Sequence, residues 1–184
     1  VRNTVGGFVH ALSVDYGQRH RRELWSAYQL ARYYGATHEV VTLPPEVFAG
    51  SSLTGGDGAT EGASTVVPGR NLVLVGLAVA CAVRTGAAVV WLAPNADDRH
   101  VYPDCRDDFV AHLTAAVKHG YGVKVEAPFL FWSKRDIVRF GRDHKVPFDM
   151  TWSCYAPVGY DPLAPASGRP CGACGACKVR EGAL

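Results

Sequence analysis

Short β-forming runs alternate with segments of helical periodicity along most of this 184-residue chain. The runs predicted as strands are residues 8–14, 38–43, 88–93 and 123–127. The segments predicted as helices are residues 19–34, 72–84, 104–118 and 133–144. The third strand is apolar throughout, which is typical of a parallel strand covered on both faces. The alternation therefore predicts an α/β fold built on a doubly wound parallel sheet.

Local signals indicate where some of these elements begin. Asp104 is a candidate N-cap for the third predicted helix, because its carboxylate can accept a hydrogen bond from a first-turn N–H group. Ser133 and Asp136 have the spacing of a capping box at the start of the fourth helix. Residues 49–64 are rich in Gly, Ser and Thr and nearly free of large apolar side chains, which predicts a mobile loop.

The charge balance and the apolar runs argue against some classes of partner. Nineteen Lys and Arg residues against seventeen Asp and Glu residues leave a formal charge of +2, which does not favour a nucleic-acid or membrane-surface binder. The longest apolar run, Leu72–Val83, is interrupted by Gly76 and is shorter than a bilayer span. Nothing at the start resembles a signal peptide. We therefore expect a soluble intracellular protein that binds neither nucleic acid nor a membrane.

Four of the six cysteines lie near the C-terminus, at Cys154, Cys171, Cys174 and Cys177. Cys-x-x-Cys spacing aims thiolates at one point, and the intervening glycines permit the tight turn. The pattern predicts one structural zinc ion held by four thiolates, with Arg169, Lys178 and Arg180 offsetting the negative charge. A redox Cys-x-x-Cys pair and an iron–sulfur cluster are the alternatives that spacing leaves open.

The other two cysteines have different surroundings. Cys81 lies in the apolar run of the second predicted helix, which favours a small core residue. Cys105 follows Tyr102, Pro103 and Asp104 in a polar segment, where a reactive thiol and a buried residue at a helix start are both open. We expect neither cysteine to bind the metal.

Polar clusters follow two of the predicted strands. Residues 15–20 follow the first strand, and residues 95–99 follow the third and lead on to residues 102–106. Ligands of open α/β sheets bind beyond the carboxyl ends of the strands. Each cluster alone could be a solvated loop, but their repetition at strand ends favours a ligand site.

Several stretches together resemble the 7-cyano-7-deazaguanine synthase family, which makes the nitrile precursor of queuosine. They are Val9-His-Ala-Leu-Ser-Val-Asp-Tyr-Gly-Gln-Arg-His20, Val66-Val-Pro-Gly-Arg-Asn71, Asn95-Ala-Asp-Asp98, Tyr102-Pro-Asp-Cys-Arg106, Ser133-Lys134, Thr151-Trp-Ser-Cys-Tyr155 and Pro170-Cys-Gly-Ala-Cys-Gly-Ala-Cys177. The resemblance implies an N-type ATP pyrophosphatase, or adenine nucleotide alpha hydrolase-like, fold. It predicts an α/β nucleotide-binding domain at residues 1–146 and a small four-cysteine zinc lobe at residues 147–184.

The resemblance also implies an activity, that of a cytoplasmic carbon–nitrogen ligase. Such an enzyme uses ATP, with Mg²⁺, and ammonia to convert 7-carboxy-7-deazaguanine to 7-cyano-7-deazaguanine (preQ0). The family further implies a structural zinc ion and a homodimer. No catalytic residue is assigned. The candidates for the substrate and nucleotide crevice are Asp15, Arg70, Asn71, Asn95, Asp97, Tyr102, Asp104 and Arg106.

The start of the chain departs from the family pattern. The family's first strand and its pyrophosphate-binding Ser-Gly-Gly-x-Asp-Ser loop have no counterpart ahead of Phe8, and Gly6-Gly7 corresponds to a later turn. Thr54–Gly58 looks similar to the loop, but no apolar strand precedes it. In the family the missing strand lies between the first and third strands predicted here, so each would keep an unpaired edge. We expect an N-terminally incomplete member that is inactive as the chain stands.

Two alternatives to the ligase stay open. A catalytically inactive, zinc-containing remnant would bind a deazapurine without using ATP. A tRNA-thiolating relative would keep the fold but needs a basic RNA-binding surface, which a formal charge of +2 disfavours.

Overall fold

The computed structural model describes residues 7–55, 58 and 60–184, which form four strands and five α-helices. The strands are β1 His10–Asp15, β2 Thr37–Thr42, β3 Val89–Trp91 and β4 Lys124–Glu126. The helices are α1 Arg22–Tyr34, α2 Arg70–Thr85, α3 Asp107–Tyr121, α4 Lys134–Asp143 and α5 Gly175–Ala183. The predicted alternation is confirmed, and α5 is an addition to it. Gly6 and part of Thr54–Gly58 lie outside the described residues.

The chain divides into two compact units. The first contains Val1–Val67 and Arg139–Leu184, and the second contains Pro68–Val138. The first unit holds β1 and β2, and the second holds β3 and β4. The division into domains at residues 1–146 and 147–184 stays a prediction.

Both strand pairs are parallel. β1 lies beside β2 with His10 opposite Thr37, and β3 lies beside β4 with Val90 opposite Val125. The predicted α/β class with parallel strands is confirmed. Within the described residues the strands form these two pairs and not one continuous sheet, so β1 and β3 each pair with a single neighbour.

The core of the second unit lies between one face of its strands and two helices. Val90 and Val125 are buried against side chains of α2 and α3, including Val75 and Val117. Trp91 lies on the opposite face and is 53% exposed. Because side chains alternate along a strand, the predicted cover on both faces of β3 is wrong for the described residues.

One capping prediction is confirmed and the other is wrong. The Ser133 N–H and Oγ donate to Asp136 Oδ2 at 3.1 and 2.5 Å, and the Asp136 N–H donates to Ser133 Oγ at 3.2 Å, which is a capping box for α4. Asp104 does not cap α3, because it lies in a 3-10 turn that ends before that helix. Its carboxylate accepts the backbone N–H of Asn71 at 3.2 Å and so caps the first turn of α2.

Part of the segment predicted to be a mobile loop is buried and hydrogen-bonded. Ser51, Ser52 and Leu53 are at most 3% exposed. The carbonyl of Ser64 accepts hydrogen bonds from the N–H and Oγ of Ser52 at 3.0 and 2.8 Å. Residues 51–53 are therefore buried rather than solvent-exposed, whereas the mobility of residues 49–64 stays a prediction. Short polar side chains bond the backbone here, so few large apolar residues are needed.

By length and composition alone, the stretch Gly62–Thr85 is apolar enough to cross a membrane, with a mean hydropathy of 1.9. It consists of a 3-10 turn, Gly62–Thr65, and the 16-residue helix α2. Gly69, with φ 72°, precedes α2 and ends any continuous helical path. Because Val75 and Val79 of α2 are buried in the core of the second unit, α2 has the contacts of a core helix.

Candidate functional site

The four C-terminal cysteines lie together. All four Sγ atoms are within 4.8 Å of one another. The Sγ atoms of Cys171 and Cys177 are 4.0 Å apart, as are those of Cys154 and Cys174. Cys154 and Cys174 are 1% and 2% exposed. These are the four predicted ligands, and the cluster could hold one metal ion.

The local backbone explains how three of these thiols converge. Gly172 has φ 73°, a left-handed conformation that side chains disfavour. The Cys174 N–H donates to Cys171 Sγ at 3.3 Å, and the Cys177 N–H donates to Cys174 Sγ at 3.4 Å. The second bond makes Cys174 the N-cap of α5, so the cluster and the start of this helix form one local structure. Cys154 is distant in sequence, and its Sγ accepts a hydrogen bond from the Cys171 N–H at 3.3 Å.

The environment affects the pKa values of three of these thiols, and not in the same direction. Burial raises the pKa of Cys171, but hydrogen bonds from the N–H groups of Ala173 and Cys174 outweigh it and lower the pKa to about 6. Burial raises the pKa of Cys154. Burial and the neighbouring Cys174 raise the pKa of Cys177 to about 12. The thiolate of Cys171 forms readily, whereas Cys154 and Cys177 need a cation to offset their charge when they ionise, which a metal ion can supply.

Two of the three basic side chains predicted to offset the thiolate charge are bound to other groups. Lys178 pairs with Glu61 at 2.6 Å. Arg180 donates to Thr151 Oγ1 at 2.7 Å and to the carbonyl of Phe148 at 2.6 Å. These bonds tie α5 to neighbouring segments of its unit, and the charge compensation stays a prediction.

A second polar cluster forms in the unit Pro68–Val138, where the loops after β3 and β4 meet. The Ala96 N–H donates to the carbonyl of Trp132 at 2.9 Å. The Lys134 N–H donates to Asp97 Oδ2 at 2.9 Å. The carboxyl ends of these two parallel strands thus bring Asp97 next to the start of α4, as expected for neighbouring strands of an α/β sheet.

Asp98 is the centre of this cluster. Its Oδ1 pairs with Lys134 Nζ at 3.1 Å, and its Oδ2 accepts a hydrogen bond from Asn95 Nδ2 at 2.5 Å. Asn95 is 6% exposed, and its Oδ1 accepts the Asp97 N–H at 3.1 Å. The resulting network includes Asp98 and Lys134, which the sequence analysis did not name as candidates for the substrate and nucleotide crevice. Both belong to stretches that carry the family resemblance, and that was the available signal.

Two of the crevice candidates, Asn71 and Asp104, are hydrogen-bonded at the N-terminus of α2. Asn71 donates from its backbone N–H to Asp104 Oδ2 and from Nδ2 to the Asp104 carbonyl, at 3.2 and 3.3 Å. Arg70 is the first residue of the helix. The Tyr102 N–H donates to the Asp98 carbonyl at 2.9 Å. The Asp104 carboxylate therefore occupies the electropositive end of α2.

The two remaining candidates occupy different places. Arg106 follows the turn after Tyr102, and its Nε donates to the carbonyl of Arg99 at 3.5 Å. Asp15 belongs to the other unit, where it ends β1, is 6% exposed and pairs with Arg21. The structure thus brings Arg70, Asn71, Asn95, Asp97, Tyr102, Asp104 and Arg106 into one unit.

Neither Cys81 nor Cys105 belongs to the four-cysteine cluster. Cys81 is buried in α2, as predicted. Cys105 is 5% exposed and accepts a hydrogen bond from Asn71 Nδ2 at 3.4 Å. Burial, followed by the charges of Asp104 and Asp98, raises its pKa to about 11. Its burial and its raised pKa favour the interpretation of Cys105 as a buried residue at a helix start.

The described residues define a class of protein: an α/β protein with parallel strands and a four-thiol cluster that can hold a metal ion. A protein-family model described as "Queuosine biosynthesis protein QueC" matches residues 3–184. The chain belongs to this QueC family, and the resemblance found in the sequence is confirmed.

Relatives from several bacteria support the same family. A "7-cyano-7-deazaguanine synthase" of Leptospira interrogans is 37% identical over 191 residues, which cover 96% of this chain and 76% of the relative. One from Anaeromyxobacter sp. is 42% identical, covering 94% of this chain and 78% of the relative. One from Synechococcus sp. is 40% identical, with 97% and 84% covered. These relatives are named for 7-cyano-7-deazaguanine, and the family model is described by queuosine biosynthesis.

Proposed function

We propose that the chain is a carbon–nitrogen ligase that uses ATP and ammonia to convert 7-carboxy-7-deazaguanine to 7-cyano-7-deazaguanine. The observation that carries this proposal is the family match over residues 3–184, joined to relatives named for that product. The chemistry explains the need for ATP, because a carboxylate is a poor acyl donor until one oxygen can leave as a phosphate ester.

In the proposed reaction a carboxylate oxygen attacks the α-phosphorus of ATP, and pyrophosphate leaves. Ammonia attacks the activated carbonyl carbon, AMP leaves with the carboxylate oxygen, and loss of a proton gives the amide. The amide oxygen then attacks a second ATP, and pyrophosphate leaves again. Departure of that oxygen on AMP, with loss of the two remaining N–H protons, gives the nitrile. Mg²⁺ bound to ATP offsets the phosphate charge in both activations.

The polar cluster of the unit Pro68–Val138 is the proposed substrate side. Asn95 and Asp97 have oxygen atoms suited to the N–H groups of a deazaguanine. Arg70 and Arg106 carry guanidinium groups suited to a carboxylate or a phosphate. Asn71, Tyr102 and Asp104 complete the proposed crevice of this unit, and Asp15, which belongs to the other unit, stays a candidate from the family resemblance alone.

The proposed metal is one structural zinc ion. Four thiolates suit zinc, and four protein ligands leave no open position for a substrate, so the ion acts on folding. This role fits a zinc lobe at residues 147–184 beside a nucleotide-binding domain at residues 1–146. A cytoplasmic location and a homodimer complete the proposal, and both follow from the family.

The experiment is an assay for the nitrile by mass spectrometry, with 7-carboxy-7-deazaguanine, ATP, Mg²⁺ and ammonium supplied. We expect Asp97→Ala to lower turnover about a hundredfold relative to the unsubstituted protein, without changing the zinc content. Asp143→Ala, which removes an exposed carboxylate of α4, is the matched control and should leave turnover unchanged. Binding of the deazapurine with zinc present but no nitrile would favour the catalytically inactive alternative. Equal turnover by the two variants would remove Asp97 from the proposed crevice.

A further inference from the structure

The segment that follows β2 packs closely on the start of α5. A Cβ added to Gly175 would lie 3.2 Å from both the carbonyl oxygen of Thr60 and Cγ of Glu61, closer than ordinary van der Waals contact. Three residues further along α5, Lys178 Nζ pairs with Glu61 Oε1 at 2.6 Å. Gly175 directly follows Cys174, so this contact lies beside the four-cysteine cluster.

A continuous series of hydrogen bonds leads from this contact to Arg19. The Ser64 Oγ donates to the carbonyl of Glu61 at 2.9 Å. The Ser64 carbonyl accepts the N–H and Oγ of Ser52 at 3.0 and 2.8 Å. The Ser52 carbonyl in turn accepts Arg19 Nη1 at 3.2 Å, and the Arg19 N–H donates to the carbonyl of Leu53 at 2.9 Å. Each link joins residues of one compact unit.

The other side of the cluster also touches the residues after β1. The ring of Tyr155, next to the ligand Cys154, lies 5.2 Å from the ring of His20. The guanidinium of Arg22 lies 4.8 Å from the ring centre of Trp152. The segment that supplies Cys154 is therefore packed against the start of α1.

We propose that the metal centre positions Arg19, and that Gly175 and Glu61 are the positioning residues that transmit this effect. The inference rests on the proposed metal centre. Metal ligation fixes Cys174 and Cys177 and hence the first turn of α5, because Cys174 caps that helix. The fixed turn holds Glu61, and the series of hydrogen bonds then holds Arg19.

The position of Arg19 gives this arrangement a function. Arg19 follows the carboxyl end of β1, the end at which α/β proteins bind ligands. Its guanidinium suits the phosphates or the carboxylate of the proposed reaction. The close approach of Thr60 and Glu61 is a physical reason for glycine at position 175.

The first test compares Gly175→Ala with Gly182→Ala in the full chain. Both add one methyl group to α5, but a Cβ at Gly182 meets nothing within 4 Å. Amide hydrogen exchange and zinc content are measured on the same zinc-loaded samples. We expect both variants to retain zinc, and the amides of Arg19 and Ser52 to exchange about tenfold faster in Gly175→Ala only. Removal of zinc from the unmodified chain should accelerate the same amides.

The second test examines the ion pair. Glu61→Gln and Lys178→Gln should each accelerate amide exchange at Ser52 about twofold to fivefold. The double variant should exchange no faster than either single variant, because the two residues act through one ion pair. Lys178→Arg, which keeps the charge, should retain the protection. Zinc-loaded protein whose Arg19 and Ser52 amides exchange alike in Gly175→Ala and Gly182→Ala would overturn the inference. A chain that binds no zinc would instead overturn the proposed metal centre.

Discussion

The two polar centres of this chain are assembled in different ways. The four-cysteine cluster takes three of its ligands from Cys171–Cys177, where a glycine turn and N–H···S bonds set the geometry locally. The polar cluster of the unit Pro68–Val138 takes Asn95 and Asp98 from the segment after β3 and Lys134 from the first turn of α4, which follows β4. Spacing along the chain is therefore enough to predict the first centre, whereas the second exists only once β3 and β4 are paired.

The difference also concerns what each centre needs for stability. In the polar cluster, carboxylates are already balanced by Lys134 and by amide and N–H donors. The cysteine cluster crowds four thiols, of which Cys171 ionises readily and Cys154 and Cys177 resist ionisation. The charges of the polar cluster are therefore balanced by protein groups alone, whereas the cysteine cluster is expected to depend on a metal ion.

The largest expected effect comes from Cys174→Ser. This change removes a ligand that is 2% exposed and caps α5. We expect zinc to fall from about one ion per chain to near none, with loss of much of the roughly 10–16 kcal/mol that a structural zinc ion contributes. Metal analysis and urea unfolding measure both quantities.

The control for that change is Cys81→Ala, which should keep the zinc and lower stability only through packing. Iron in the purified protein, with visible charge-transfer absorption, would favour the iron–sulfur alternative instead of zinc. A metal-bound Sγ of Cys81 or Cys105 would contradict the ligand assignment.

An intermediate effect is expected from Asp98→Ala. The change leaves Asn95 Nδ2 and Lys134 Nζ without their carboxylate partner, so we expect a loss of about 1–3 kcal/mol in the free energy of unfolding. Zinc content should not change, because the two centres are built from separate segments. Urea unfolding with parallel metal analysis tests this, and zinc loss in this variant would show that the two centres depend on each other.

The smallest effect at neutral pH is expected at Cys105. Burial, followed by Asp104 and Asp98, raises the pKa of its thiol to about 11, above the ordinary value of 9.0. The folded state therefore holds the proton more tightly than the unfolded state. The stability that this gives is fully present below about pH 9 and is lost as the pH rises towards 11.

Alkylation by iodoacetamide followed by peptide mass mapping checks that expectation. At pH 8, Cys105 of the folded protein should react about a hundredfold more slowly than the same residue in urea, because the thiolate is the reactive form. Rapid alkylation of Cys105 in folded protein would revive the reactive-thiol interpretation that the sequence left open.

The same division between local and distant contacts separates the predictions that succeeded from those that failed. The capping box of Ser133 and Asp136 is confirmed because both partners lie within one turn. The prediction for Asp104 was wrong because its nearest helix in sequence, α3, is not the helix that its carboxylate reaches. Its partner Asn71 lies in α2.

Residues 51–53 are a second example of contacts that are distant in sequence and could not be predicted from it. Their composition is that of a surface loop, yet they are at most 3% exposed. The Ser52 N–H donates to the Ser64 carbonyl and the Ser52 carbonyl accepts Arg19 Nη1, so other parts of the unit bind this segment. Composition reports how much apolar surface a segment brings. It carries no information about which segments will cover it.

The sequence by itself determined the α/β class, the four clustered cysteines and the family, because each depends on residue types at short or collinear spacing. Only the tertiary structure decided the partners of Asp98 and Asp104 and the burial of residues 51–53. The physical reason is the range of the interactions. A turn or a cap is set by dihedral angles within a few residues, whereas a hydrogen bond between distant segments forms only after strand pairing and helix packing bring them within about 3 Å.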